Sequence, residues 1–201
     1  MLLSKDIYPG ALVRILLALF LALPLLSATP RPRVLFTTSL GSFTVELAPD
    51  AAPKTVENFL GYVRSGHYKG TVFHRVIKDF MVQGGGFTED LARKDTRSAV
   101  DNEADQAKAK GWTHKRGTLA MALPQNNPFG ATAQFFINVK DNPSLDFKAK
   151  TMKDYGYCVF GKVVAGMDTV DKIRSVKTGL QKGMKDVPVK PVVITEAKEL
   201  K

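Results

Sequence analysis

The sequence has a single cysteine, Cys158, among 201 residues, so no disulfide can form within the chain even in an oxidising compartment. It lies in the apolar run Tyr-Cys-Val-Phe-Gly, where a thiol behaves as a small hydrophobic side chain. The sequence places no histidine and no helix start beside it that would make it a nucleophile. We therefore expect Cys158 to be a buried structural residue.

The motifs of most catalytic and metal-binding chemistries are also missing. There is no paired-carboxylate motif, no His-Glu-x-x-His and no Cys-x-x-Cys. The three histidines, His67, His74 and His114, do not share a metal-ligand spacing. The glycine run at residues 84–86 does not open a helix after a P-loop lysine pattern, so it indicates a bulge or turn rather than a phosphate site. The sequence thus predicts no metal and no cofactor.

The composition fits one ordinary domain with a basic surface. Apolar residues make up 44% and charged residues 24%, which is typical of a globular protein of this length. The formal charge is +10, yet the basic residues are scattered and no nucleic-acid motif accompanies them. We therefore expect no specific nucleic-acid binding.

The N-terminus has the three parts of a secretory signal. Lys5 and Arg14 precede a short apolar run that gives way to small residues ending near Ala28. The run is shorter than the roughly 20 residues that a spanning helix needs. We predict a signal peptide over residues 1–28, cleaved near Ala28, and a single domain over residues 29–201. A retained anchor is the alternative, because no Ala-x-Ala triplet marks the cleavage site.

Hydrophobic periodicity predicts a mainly β protein. Apolar alternation and turn residues delimit about eight short strands, at residues 34–38, 42–47, 72–77, 80–82, 118–123, 134–139, 157–164 and 192–198. Two helices are predicted, one with Asp50 as N-cap and a stop at Gly66, the other over residues 167–175. Because no βαβ repetition is present, the pattern indicates a closed antiparallel barrel whose ends the helices cover.

Two long segments are predicted to be loops. Residues 177–190 are rich in glycine and lysine, and residues 87–116 are polar and weakly periodic. The second loop ends in a basic segment, which is either a solvated surface or a docking patch for an acidic partner. Its cationic residues are Lys108, Lys110, Lys115 and Arg116.

The chemistry that remains is centred on residues 73–88. Alternation over residues 72–77 places Arg75 on the same face as Phe73 and Ile77, where a charge must be paired or hydrogen-bonded. Amides and aromatic or apolar side chains accompany it in the sequence, namely Gln83, Gln134, Phe80, Met81 and Phe136. Such a set can hold an apolar ring and direct hydrogen bonds at an amide.

This set matches rotation about a prolyl peptide bond. Amide rotation has a barrier of about 18–20 kcal/mol because resonance must be broken, and the twisted nitrogen becomes a hydrogen-bond acceptor. An arginine that donates to that nitrogen binds the twisted state better than either planar state. The alternative is that Arg75 is a structural ion-pair residue.

Five segments resemble cyclophilin motifs and occur in cyclophilin order. They are Phe-His-Arg-Val-Ile from residue 73, Phe-Met-Val-Gln-Gly-Gly-Gly-Phe-Thr from 80, Arg-Gly-Thr-Leu-Ala-Met-Ala from 116, Gln-Phe-Phe-Ile-Asn from 134 and Val-Phe-Gly-Lys-Val from 159. The resemblance implies an eight-stranded barrel with two capping helices and peptidyl-prolyl cis-trans isomerase activity without a cofactor. With the leader, the chain is most similar to periplasmic cyclophilins of Gram-negative bacteria, which implies a periplasmic location.

The resemblance also implies roles for individual residues. In the catalytic group, Arg75 donates to the prolyl nitrogen, Gln83 orients the guanidinium, and Phe80 lines the site. A second group forms the proline pocket, fixes the substrate backbone and supplies another amide, namely Met81, Ala122, Leu123, Gln134, Phe136, Leu145 and Tyr157. Ser144 stands where cyclosporin-sensitive members carry tryptophan, so we expect weak binding of that drug.

The partners implied are proline-containing segments of unfolded or exported polypeptides. We expect a monomer that meets the membrane only if the leader is retained. A non-catalytic module that binds proline-containing segments is the alternative function.

Overall fold

The computed structural model describes residues 31–125 and 127–200, so the predicted signal peptide lies outside the described residues. These described residues form ten strands, with bounds β1 Arg33–Thr38, β2 Gly41–Leu47, β3 Thr71–Ile77, β4 Met81–Thr88, β5 Thr118–Met121, β6 Phe135–Asn138, β7 Val159–Ala165, β8 Thr178–Gln181, β9 Met184–Pro188 and β10 Val193–Leu200. The helices are α1 Pro53–Arg64, α2 Ala104–Ala109 and α3 Met167–Arg174, with a 3-10 turn at Pro143–Leu145.

Eight strands close into the predicted antiparallel barrel. Their order around the barrel is β1, β10, β3, β4, β6, β5, β7 and β2, and β2 pairs back onto β1. The chain begins the barrel with a tight hairpin in which Phe36 faces Phe43 across the β1–β2 ladder. Because closure pairs both edges of every barrel strand, no barrel edge is left open.

Aromatic side chains fill the barrel and seal one end. Phe36 stacks on Phe43 with ring centroids 5.1 Å apart, and Phe135 packs against Phe36 at 5.4 Å. Phe59 from α1 enters the same cluster, 5.0 Å from Phe160 and 5.9 Å from Phe135. All five rings are fully or almost fully buried, so the barrel interior is a packed core and substrate must bind on its outer surface.

Helix α1 buries the stripe that its sequence predicts, Val56, Phe59, Leu60 and Val63. Its start differs from the prediction. Ala52 is the N-cap residue, whereas Asp50 forms an ion pair with Arg31 at 3.0 Å. The orphan N–H groups of the first turn are instead bonded by Glu103, which lies far along the chain, in the segment before α2.

Both predicted loops contain regular structure. Helix α2 lies in the 87–116 segment, so the described residues contain three α-helices instead of the two predicted. It was not predicted because it has only six residues and buries only two alanines, which gives too weak a periodic pattern. The 177–190 segment forms the β8–β9 hairpin, in which Gln181 pairs with Met184 around Lys182 and Gly183. Lys182 has a φ of 46°, a left-handed conformation that is uncommon for lysine, so the sequence did not predict a tight turn here.

The alternation predicted for β3 is broken by a bulge. Phe73 pairs with Gly84 and Arg75 pairs with Gln83, so β3 advances two residues while β4 advances one. Phe73 therefore points into the core, and Arg75 does not share its face. The placement of Phe73 and Arg75 on one apolar face is thus wrong, because period-2 reasoning does not include the extra residue.

Strand bounds differ from the predicted ones mainly near the outer surface. β4 continues through the three glycines to Thr88, β5 ends at Met121, and β7 begins at Val159, leaving Tyr157 in the preceding loop. In the part of the chain with described coordinates, none of the helices has the length and hydrophobicity to cross a membrane.

Candidate active site

One small pocket on the barrel surface is lined by nine of the ten predicted site residues. Its volume is about 100 Å³, and its lining residues are Arg75, Phe80, Met81, Gln83, Ala122, Leu123, Phe136, Leu145 and Tyr157. The tenth predicted residue, Gln134, lines an adjoining larger cavity that also includes Arg75. The structure therefore gathers the predicted set, although the role of each member remains a prediction.

Three neighbouring strands position the pocket. Arg75 on β3 faces Gln83 on β4, and Gln83 in turn faces Phe136 on β6. Tyr157 closes the apolar side, with its ring at 85° and 5.5 Å to that of Phe136. The backbone N–H of Tyr157 donates to the carbonyl of Leu145 at 3.1 Å, which ties the two loop residues of the pocket together.

The side chain of Arg75 lies in the groove and is 41% exposed. Its nearest acidic partner is Asp186 of the β8–β9 hairpin, 4.0 Å from Nε, which is longer than a hydrogen bond. Arg75 therefore borders the apolar lining of the small pocket without being enclosed by it. Its guanidinium keeps part of its hydration and can turn toward a bound peptide.

The two amides of the site are bonded to each other. The side-chain nitrogen of Gln83 donates to Oε1 of Gln134 at 3.0 Å. Because the side-chain nitrogen of Gln83 is used in this bond, its amide oxygen is left as an acceptor for Arg75. Gln134 thereby fixes the rotamer of the residue that was predicted to orient the arginine.

A buried histidine and a half-buried aspartate support the pocket from behind, and no local sequence signal identified them. Nδ1 of His114 lies 2.8 Å from Oδ1 of Asp146, which also accepts the backbone N–H of His114 at 2.9 Å. The His114 ring stacks on Phe136 at 5.9 Å and 18°. Burial lowers the pKa of His114, and the hydrogen bond to Asp146 opposes that shift.

Two larger cavities flank the small pocket, and Leu123 lines all three. One, of about 510 Å³, extends past Arg75 and Gln134 to the β8–β9 hairpin. The other, of about 440 Å³, extends past Tyr157 toward Pro128 and Met152. Together with the small pocket they form a groove across the barrel surface.

Cys158 is buried against α1 and does not line the groove. Burial raises its pKa to about 12, and Sγ lies 3.6 Å from Oγ1 of Thr55. This environment agrees with the predicted structural role. Among residues 31–125 and 127–200, no group of three or more histidine, cysteine, aspartate or glutamate side chains is arranged to hold a metal.

The basic segment is largely engaged with its own surface. Lys108 donates to the carbonyl of Phe147 at 2.7 Å, Lys115 pairs with Asp141 at 2.9 Å, and Arg116 pairs with Asp171 at 2.6 Å. These contacts favour the solvated-surface interpretation over a docking patch.

Comparisons with known proteins agree with this geometry. Residues 33–199 match the family described as cyclophilin type peptidyl-prolyl cis-trans isomerase/CLD. The chain is 57% identical over 163 residues to peptidyl-prolyl cis-trans isomerase cyp18 of Streptomyces antibioticus, covering 81% of this chain and 95% of that protein. It is 49% identical to peptidyl-prolyl cis-trans isomerase B of Escherichia coli strain K12, covering 80% and 95%. For peptidyl-prolyl cis-trans isomerase A of Dickeya dadantii strain 3937 the identity is 48%, covering 89% and 90%.

Solved structures show the same fold. A cyclophilin type peptidyl-prolyl cis-trans isomerase of Cryptosporidium parvum, crystallised in the presence of the dipeptide Ala-Pro, superposes with a TM-score of 0.64 at 25% identity. The match covers 84% of this chain and 99% of that one. The chain therefore belongs to the cyclophilin-type peptidyl-prolyl cis-trans isomerases and is an enzyme of that activity.

Proposed function

We propose that this isomerase acts on X-Pro bonds of exported polypeptides in the periplasm, and that Arg75 catalyses rotation by donating a hydrogen bond to the prolyl nitrogen. The observation that carries the mechanism is that the guanidinium of Arg75 and the apolar side chains of Phe80, Met81 and Phe136 line the same small pocket. A proline ring held against those walls presents its nitrogen to the charged donor of the pocket lining.

The guanidinium of Arg75 can act selectively because the prolyl nitrogen becomes a hydrogen-bond acceptor during the reaction. In either planar isomer the prolyl lone pair is delocalised into the carbonyl and accepts no hydrogen bond. As the bond twists, the lone pair returns to nitrogen, and a charged donor then binds the twisted state selectively. Since arginine stays protonated at all physiological pH values, this step requires no proton transfer.

The apolar walls have a different task. Met81 and Phe136 are almost fully buried, and Phe136 is braced by His114 on one face and Tyr157 at its edge. A rigid pocket holds the proline ring still while the acyl group before it rotates. The rigid pocket thus uses binding energy to orient the substrate. Orientation is the second contribution to the rate, beside the hydrogen bond from Arg75, that a site without acid–base chemistry can make.

The substrate class is supported by a relative. The related Cryptosporidium parvum enzyme was crystallised in the presence of Ala-Pro, a dipeptide that ends in proline. We extend this to the present chain and propose proline-containing segments of unfolded polypeptides as its substrates, bound along the groove that Leu123 borders. Uncatalysed isomerisation takes tens to hundreds of seconds, so exported chains would gain from the enzyme during folding.

The periplasmic location rests on the leader over residues 1–28. Its charged start, short apolar run and small residues near Ala28 are those of a cleaved secretory signal. Expression of the full chain in a Gram-negative host, followed by fractionation and N-terminal sequencing, tests the proposal. A product that begins near residue 29 in the periplasmic fraction supports it, whereas a full-length product in the cytoplasmic fraction contradicts it.

The mechanism is tested by Arg75→Ala. Loss of a pre-placed donor to developing charge costs about 10²–10³ in rate, so kcat/KM toward a proline tetrapeptide should fall by that factor. Arg64→Ala, which removes an exposed arginine of α1, is the matched control and should keep the rate of the unaltered protein. A wild-type rate for Arg75→Ala, with the fold intact by circular dichroism, would overturn the mechanism.

A further inference from the structure

We propose that the 510 Å³ cavity beside the proline pocket is a subsite for the carboxylate side chain of a glutamate or aspartate that flanks the substrate proline. The inference rests on the proposed function, because it specifies which proline-containing segments that function prefers. The subsite and the proline pocket share Arg75, Ala122 and Leu123 as lining residues, so one extended peptide can occupy both.

The charges around this cavity are predominantly positive. Arg75, Arg93 and Lys185 line it, and Asp186 is its one acidic residue. Three cations and one carboxylate leave a net charge of +2 at the rim. Oδ2 of Asp186 lies 4.0 Å from Nε of Arg75, so this carboxylate offsets the charge of Arg75. The remaining positive charge of the cavity is on Arg93 and Lys185.

Both of these cations are available to a ligand. No salt bridge joins Arg93 or Lys185 to an acidic side chain in the described chain, whereas most arginines elsewhere on the surface are paired. The guanidinium of Arg93 is held over the ring of Phe87, with 5.4 Å between its central carbon and the ring centroid. This contact fixes the guanidinium at the cavity wall and leaves its N–H groups unused by a carboxylate.

The two cations lie on segments that hold them in place. Arg93 is part of the short bridge that it forms with Phe87 in β4. Lys185 is on β9, next to Asp186, whose φ of 62° bends the strand where it passes Arg75. A substrate carboxylate entering the cavity would therefore meet donors from two different segments of the chain.

The inner wall of the cavity includes a buried histidine. His74 lines the cavity with its side chain almost fully buried, and its Nδ1 has no hydrogen-bond partner in the described chain. Its ring packs on Phe87 with 4.6 Å between centroids. Burial lowers the pKa of this ring to about 4, so His74 adds no charge to the cavity at neutral pH.

The chemistry therefore favours an acidic side chain over its neutral isostere. Glutamate and glutamine have the same size, so both fit the cavity, but only glutamate gains the attraction of Arg93 and Lys185. At a half-open site in water, two such charges give about a fivefold to tenfold preference, and salt should weaken it. A lysine at the same position should be disfavoured by the same charges.

Exchange NMR on pairs of blocked hexapeptides tests the proposal without a coupling protease. Each pair carries glutamate or glutamine at one position, from three residues before the single proline to two after it. We expect the glutamate peptide to have about a fivefold to tenfold higher kcat/KM at positions on one flank of the proline only. The preference should shrink toward unity in about 0.5 M NaCl.

The double variant Arg93→Gln, Lys185→Gln assigns the preference to this cavity. In this variant the ratio of kcat/KM for the glutamate peptide to kcat/KM for the glutamine peptide should fall to about one, whatever the absolute rates. The double variant Lys110→Gln, Lys172→Gln removes the same charge from exposed positions outside the groove and should keep the ratio of the unaltered enzyme. Equal rates for glutamate and glutamine peptides, or a preference that survives Arg93→Gln, Lys185→Gln, would overturn the subsite. Failure to isomerise any of the peptides would instead overturn the proposed function.

Discussion

Nδ1 of His114 lies 2.8 Å from Oδ1 of Asp146, and this pair of a buried histidine and a half-buried aspartate connects two walls of the small pocket. Asp146 directly follows Leu145, which lines the pocket, and the His114 ring stacks on Phe136, which lines it from the other side. Because a carboxylate only accepts hydrogen bonds, Nδ1 carries the proton and Nε2 is the unpartnered buried atom. The pair thus sets the distance between the loop and the barrel without touching substrate.

Asp146→Ala should therefore loosen the pocket. It removes the acceptor for both the ring and the backbone N–H of His114, which costs about 1–3 kcal/mol of folding free energy. Since Leu145 and Phe136 line the pocket in which we propose that the proline ring binds, we expect KM to rise several-fold, with a smaller change in kcat. Steady-state kinetics on a proline tetrapeptide and urea unfolding measure the two effects.

Asp146→Asn is the matched control for this change. Its amide oxygen can still accept both hydrogen bonds, so KM should stay within about twofold of the unaltered enzyme. If Asp146→Ala lowered kcat alone and left KM unchanged, the pair would not act through the walls of the pocket.

Gly86 has no room for a side chain because Gln134 occupies the space. A Cβ at this position would come within 2.5 Å of Cγ and 2.6 Å of Nε2 of Gln134, although the backbone itself is not strained. Gly86→Ala should push Gln134 out of its hydrogen bond with Gln83 and lower kcat/KM about tenfold, because Gln83, which the resemblance predicts to orient Arg75, would lose its partner. Stability should fall by only about 1 kcal/mol, since a flexible side chain can move away.

Gly179→Ala is the control for this substitution. A Cβ there meets only Val189, at an ordinary 3.9 Å, so activity and stability should both be retained. Wild-type activity in Gly86→Ala, in a variant whose structure shows the Gln83–Gln134 hydrogen bond broken, would show that the amide pair does not support catalysis.

Periodicity and turn residues were enough to predict the barrel and most of its strands, because half-buried strands alternate on a closed sheet. The bulge in β3 could not be predicted in this way. An extra residue between Phe73 and Arg75 reverses the facing of the later residues of the strand, and only pairing with Gly84 and Gln83 reveals it. The β8–β9 hairpin was missed for a related reason: most of its residues are half-buried, so its strands show no regular alternation of apolar and polar residues.

The site was predicted by resemblance rather than by pattern. Motifs in order identified the lining of the small pocket, but they said nothing about residues that act through long-range contacts. His114 and Asp146 are separated by 32 positions, and Glu103 bonds Thr55 across 48. No local sequence signal links such partners, so only the folded chain shows them.

The buried imidazole of His74 should make the protein acid-sensitive. Burial lowers its pKa from 6.5 to about 4, with smaller contributions from Arg75 and Arg93. Above pH 6.5 the ring is neutral in both folded and unfolded chains, so it adds no pH dependence. Between pH 6.5 and 4 the unfolded chain takes up a proton that the folded chain refuses, so the free energy of unfolding falls as pH falls, by about 3 kcal/mol for this residue.

Urea unfolding at several pH values, for the unaltered protein and His74→Gln, measures this contribution. The variant should lose about 3 kcal/mol less between pH 6.5 and 4. Burial also lowers the pKa values of His67 and His114, but these residues are present in both proteins and cancel in the difference. Parallel pH profiles for the two proteins would contradict the prediction.

Helix α1 is capped by a residue that is distant in sequence. Its own N-cap, Ala52, has no side-chain acceptor, and the buried carboxylate of Glu103 takes that role. Oε2 accepts the backbone N–H and the hydroxyl of Thr55, both at 2.8 Å, and Oε1 accepts the N–H of Lys54 at 3.2 Å. A negative charge at this end of the helix also interacts favourably with the helix dipole.

Glu103→Gln should therefore destabilise the protein although it keeps the shape of the side chain. One oxygen becomes an NH₂ group that must face a backbone or hydroxyl donor, so at least one hydrogen bond is lost and the free energy of unfolding should fall by about 1–3 kcal/mol.

Cys158 reports the same change locally, because its Sγ contacts Oγ1 of Thr55 and its thiol is almost unreactive while buried. Labelling by a thiol reagent should be about tenfold faster in the variant for each 1.4 kcal/mol lost. Glu89→Gln, at an exposed position, should change neither measurement, and a Glu103→Gln variant as stable as this control would show that the start of α1 does not depend on Glu103.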